Sequence, residues 1–136
     1  MTRSLILLSS LGTTMLALAP FAYSGTEAYW TPPKTVVVKM IDKSATEFAF
    51  EPSAVSVKAG DVVQFLQTGA TPHNIEFRET PAGVDLGTQK ASPYLTTPNQ
   101  KYEIAIDRKF AKGTYRFTCL PHEALGMNGQ LTVTAQ

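Results

Sequence analysis

Residues 114–134 read TYRFTCLPHEALGMNGQLTVT, and this stretch decides the fold. Thr114 to Cys119 alternates polar and apolar side chains, and Gln130 to Thr134 does the same. A period of two marks a strand with one face against a core. The segment between them, Leu120 to Gly129, is longer than the two to five residues of a tight hairpin. A loop of that length between neighbouring strands has a task beyond reversing the chain.

The strand pattern extends backward from there. Thr35–Ile41 is β-branched and apolar, and Ala54–Lys58, Val62–Leu66, His73–Phe77 and Lys101–Ile106 alternate. Clusters of Gly, Pro, Asn and Asp separate these runs. Seven short strands with such spacing predict an all-β fold, a two-sheet Greek-key β-sandwich. The connection from Glu79 to Pro98 carries Pro81, Gly83, Gly87, Pro93 and Pro98, which predicts an irregular turn or a poor edge strand. Repeats, low-complexity tracts and helices of ordinary length are absent from the pattern.

The first residues read differently. Arg3 precedes a nearly uncharged run rich in Leu and Ala from Ser4 to Phe21, and Ala22-Tyr23-Ser24 supplies small residues at the cleavage positions. This predicts an export signal over 1–24, an N-terminal arm over 25–34 and one domain over 35–136. The alternative for 1–24 is an uncleaved membrane anchor, against which stand Gly12, Thr13, Thr14 and Pro20. The expected product is a soluble exported monomer without stable membrane insertion, in a bacterial periplasm. The chain has 12 Lys and Arg against 11 Asp and Glu, and losing Arg3 with the leader balances them. Such a balance gives no reason to expect nucleic-acid binding. Cys119 is the only cysteine. An exported thiol that cannot pair within its chain is an oxidation liability unless it is buried or holds a metal.

Its neighbours supply the metal reading. The loop sets Cys119, His122 and Met127 at intervals of three and five residues, and Gly126 and Gly129 give it freedom to turn. The chain has two histidines, and the other, His73, follows the loop Thr68–Pro72. Each residue has a bland reading by itself: Met127 as core filler, His73 as a strand-end histidine, Cys119 as an inert buried thiol. Together, two imidazoles, a thiolate and a thioether form the soft, mixed set that favours copper of the blue, type 1 kind. Structural zinc usually takes four Cys or His ligands, and a binuclear copper centre would need a second loop cysteine.

Phe50-Glu51-Pro52, Gly60-Asp61, Pro72-His73-Asn74-Ile75, Gly113-Thr114-Tyr115 and Cys119-x-Pro121-His122 with Gly126-Met127 together resemble the plastocyanin and pseudoazurin branch of the cupredoxins. The resemblance covers roughly 50–133. It implies an eight-strand sandwich with one copper ion under one end. It also implies His73, Cys119 and His122 as strong ligands and Met127 as the long axial one. Asn74 resembles the family residue whose backbone N–H points at the thiolate and whose side chain steadies the ligand loop. Pro121 lacks an N–H, so that position cannot donate a second hydrogen bond to sulfur. Leu120 stands where the family often has Ser or Thr, removing a hydroxyl partner for Asn74.

The implied function is single-electron transfer without catalysis. His122 is then the electron port, inside an apolar docking patch of Pro72, Ala124, Leu125 and Gly126 for a cytochrome, oxidase or reductase. Lys109 and Lys112 fall before the strand that ends at Cys119, far from the patch. Glu123 reads as a solvated loop carboxylate rather than a base. Two other classes stay open. A nitrosocyanin-like mononuclear copper enzyme, with an open metal position, would need the axial Met to be absent or a carboxylate nearby in space. A copper storage or delivery protein would show several Met or His in a flexible run.

Overall fold

Valine and phenylalanine at alternate positions build the central strands. In Val62–Gln67 the side chains of Val63, Phe65 and Gln67 are buried while those between them are half-buried. In Thr35–Asp42, Val38 and Met40 point inward. The computed structural model describes residues 31–135, so the expected leader over 1–24 and residues 25–30 of the arm lie outside the described residues. No helix among the described residues is long and apolar enough to cross a membrane.

Eight strands follow in order: β1 Thr35–Asp42, β2 Phe48–Glu51, β3 Ala54–Val57, β4 Val62–Gln67, β5 Glu76–Glu79, β6 Lys101–Ala105, β7 Gly113–Thr118 and β8 Asn128–Val133. They form two four-stranded sheets, β2-β1-β4-β6 and β3-β8-β7-β5. Both sheets are mixed. β1 pairs with β4 in parallel and β3 with β8 in parallel, whereas the other ladders are antiparallel.

The core lies between the sheets. Phe117 of β7 sits edge-on to Phe50, Phe65 and Phe77, with ring centroids 4.9, 5.3 and 5.9 Å away. Burying each such ring contributes about 1.5–3 kcal/mol, with roughly 0.5–1.5 more from each edge-to-face pair. Phe117 pairs in register with Gly129 on β8, and a side-chain carbon there would strike its ring. Gly129 therefore serves packing, not the backbone freedom expected of it.

Two expectations change. β2 was not among the seven predicted strands; only its ladder with β1, Met40 opposite Phe50, reveals it. The run from His73 also begins its strand late, at Glu76. Before that, His73 forms an isolated bridge with Leu95 and Glu76 forms one with Ala91. The long connection thus folds back as the poor edge partner expected of it, with a short 3₁₀ turn at Gly87–Lys90.

Candidate metal centre

One end of the sandwich collects the last residues of β1, β4 and β7. β7 stops at Thr118, Cys119 continues in extended conformation, and Leu120–Leu125 wind into a 3₁₀ turn with Pro121 as its second residue. Pro suits that place because the N–H it lacks would have no intrahelical partner. The turn brings His122 back over Cys119, and the His122 N–H donates to the Cys119 carbonyl at 3.0 Å. Gly126 ends the turn at φ +84°, a left-handed conformation that other residues rarely adopt. The Met127 N–H then donates to the His122 carbonyl at 3.1 Å, and the Cys119 N–H donates to the Met127 carbonyl at 3.0 Å. The Thr118 hydroxyl donates to that carbonyl as well, at 3.0 Å. Main-chain bonds therefore lock Cys119, His122 and Met127 to one another. Cys119 and Met127 are both fully buried.

His73 arrives from the other side. Its backbone exchanges two hydrogen bonds with Leu95, at 3.1 and 2.8 Å, and its side chain is fully buried. His73 Nδ1 lies 3.5 Å from the Cys119 Sγ and 3.1 Å from His122 Nδ1, and the Sγ lies 3.3 Å from His122 Nδ1. These three form the group of metal-capable side chains among the described residues. His73 Nε2 faces the other way, 2.7 Å from Asp42 Oδ1.

Burial raises the Cys119 thiol pKa above its ordinary value, although backbone N–H groups of Asn74 and His122 act against it. His122 is lowered, chiefly by burial and then by repulsion from His73, with Asp42 opposing. Partial burial would raise the Asp42 carboxyl, but hydrogen bonds from Thr71 and His73 hold it below the usual range. A buried thiol and two imidazoles with converging lone pairs suit a soft or borderline ion that displaces the thiol proton.

Sequence comparison matches residues 36–134 to the copper binding proteins of the plastocyanin/azurin family. The chain belongs to that family. A plastocyanin of Ginkgo biloba is 40% identical over 94 residues, covering 66% of this chain and 92% of that one. The oxidised plastocyanin of the fern Dryopteris crassirhizoma superposes with a TM-score of 0.58 at 33% identity, over 73% of this chain and 100% of that one. Pseudoazurin of Methylobacterium extorquens AM1 gives 0.53 at 29% identity, over 74% and 75%. The fold is a cupredoxin sandwich, and the cofactor of this plastocyanin/azurin member is one type 1 copper ion.

The donor atoms of His73, Cys119 and His122 meet, and Met127 shares the buried cluster with Cys119. Pro72, Ala124, Leu125 and Gly126 are all exposed. Asn74 is buried, and its Oδ1 accepts the Leu120 N–H at 2.8 Å. The loop tether therefore works through the backbone and needs no hydroxyl at position 120. Glu123 is not simply solvated: Arg78 on β5 donates to both its oxygens, at 2.6 and 3.3 Å. Three features had no sequence signal. Phe48 of the unpredicted β2 lies against His122 with ring centroids 4.0 Å apart. Leu120 adds a second large apolar side chain to the exposed turn. Asp42 reaches His73 from 31 residues away.

Proposed function

We propose that this chain is an exported one-electron carrier of the bacterial periplasm, in which His73, Cys119 and His122 would hold copper as strong ligands and Met127 would add a weak fourth. The convergence of three donor atoms within 3.1–3.5 Å, beneath a half-buried His122, carries this reading. Copper, when bound, supplies a one-electron Cu(I)/Cu(II) couple. The protein's part is to hold the donors in one arrangement for both states, so that little reorganises on transfer. The main-chain bonds among Cys119, His122 and Met127, with the Leu95 bridge at His73, supply that rigidity.

His122 serves as the port. It alone of the four is half-buried rather than buried, and exposed Leu120 and Leu125 lie on its turn. A small apolar patch suits brief docking of a cytochrome, oxidase or reductase. The enzyme alternative asks for a carboxylate nearby in space, and Asp42 is one, but it engages the His73 nitrogen that faces away from Cys119, which favours the carrier reading. Copper(II) titration of the purified protein tests the reading. It should give one intensely coloured site per chain and a reversible one-electron wave. A colourless complex, or several weak sites, would sink it.

Met127→Leu removes a weak donor that favours Cu(II), so the potential should rise, and Met127→Gln should lower it. Both should retain copper on the other three ligands. Voltammetry decides, and an unmoved potential in both variants removes Met127 from the ligand set.

Acid should raise the potential of the native protein. His122 is the more exposed imidazole, and protonating it in the reduced protein couples proton uptake to reduction, which favours Cu(I) as pH falls. Burial already makes protonation of His122 harder than for a free histidine, and bound Cu(I) competes with the proton, so the climb should be confined to the acid side of the ordinary histidine range. A potential independent of pH through the acid range would show that His122 never leaves the metal.

A further inference from the structure

Asp42 ends β1, and its carboxylate has two employments. Oδ2 accepts the backbone N–H groups of Ala70 and Thr71, at 3.1 and 3.0 Å. Oδ1 lies 2.7 Å from His73 Nε2. An ionised carboxylate only accepts, so Nε2 must carry the proton, and Nδ1 is left bare on the side of Cys119 and His122. The loop before His73 is strapped from its other side too. The side-chain amide of buried Gln67 donates to the carbonyls of Gly69 and Thr71, at 3.0 and 2.6 Å.

Gly69 completes the arrangement. A side-chain carbon there would fall on the Asp42 carboxylate itself. The absence of a side chain at this position is what lets the carboxylate pass over the loop and reach the imidazole.

The geometry points to Asp42 as the positioning residue of this centre: it selects the His73 tautomer, fixes the ring, and through its charge favours Cu(II) over Cu(I). This rests on His73 being a copper ligand. A carboxylate on the outer nitrogen of a metal-bound imidazole raises its basicity, and removing such a partner typically costs about 10–100-fold in metal affinity. A negative charge held close to the ring also stabilises the more positive oxidation state. A loop staple alone would do neither.

Three variants separate the two roles. Asp42→Asn keeps the size but removes the charge, and its single oxygen cannot serve both His73 and the loop. It should keep the intense colour, lose about 10–100-fold in Cu(II) affinity and shift to a higher potential. Gly69→Ala leaves the acid in place but pushes its carboxylate aside, and should move the potential in the same direction. Asp42→Ala removes the acceptor, and imidazole ¹⁵N shifts of the copper-free protein should then show His73 losing its single Nε2–H tautomer. Potentials equal to wild type in both Asp42→Asn and Gly69→Ala, or a His73 tautomer unchanged in Asp42→Ala, would overturn the proposal. A wild-type protein that takes up no coloured copper would instead overturn the carrier reading, and the copper-free tautomer measurement would still decide the role of Asp42.

Discussion

Cys119→Ser is expected to abolish the intense visible absorption of the copper-loaded protein while the eight-strand sandwich stays folded. Cys119 is the only thiol in the chain and is fully buried, so no other residue can supply the thiolate. Serine places a harder, neutral hydroxyl at the same point and cannot replace a soft anionic sulfur. The cost in stability is bounded, because one poorly paired buried hydroxyl is worth about 1–3 kcal/mol against a typical domain stability of roughly 5–15 kcal/mol. A second readout comes from the raised Cys119 thiol, which burial keeps protonated at neutral pH without metal. Loading copper into the native protein should therefore release a proton, and loading the variant should not. Absorbance, a pH-monitored titration and a circular-dichroism melt cover all three points. An unchanged spectrum in Cys119→Ser would end the copper–thiolate reading.

What was legible in the chain was local. Period-two alternation marked the strands, and the spacing of Cys119, His122 and Met127 on one reversing loop marked the metal set proposed here, because both depend on residues close in sequence. What escaped was set by contacts between distant segments. β2 is only four residues long, and its identity comes from its ladder with β1. The late start of β5 depends on a bridge from His73 to Leu95, a residue in a proline-rich stretch without periodicity. Asp42 reads as the polar end of a strand, and nothing near it announces an imidazole 31 residues on. The Arg78–Glu123 pair spans 45 residues and joins a strand to a loop whose path the pattern left undefined. Leu120, read as a missing hydroxyl, turns out to matter at the surface, because the 3₁₀ turn faces it outward.

The second large effect is expected at the docking surface proposed around His122. Leu125 is 51% exposed and Leu120 43% exposed on the same turn, so neither contributes much to the core. Leu125→Asp should leave folding, colour and potential nearly unchanged, because an exposed charge in high dielectric is well screened. The partner complex responds differently. The new carboxylate must be stripped of water each time a partner covers the patch, at a cost of roughly 1–3 kcal/mol. Each 1.4 kcal/mol lost weakens the docked complex about tenfold. Electron transfer with a physiological partner should slow correspondingly under second-order conditions. Lys109→Glu provides the contrast. Lys109 precedes β7, whose six residues run to the copper end, which puts it roughly 16–20 Å away at the usual strand rise. Its charge reversal should change the rate only through long-range steering that added salt suppresses. Stopped-flow rates measured for both variants at two salt concentrations decide between surfaces. Equal losses at Leu125 and Lys109, or none at Leu125, would place the docking surface away from His122.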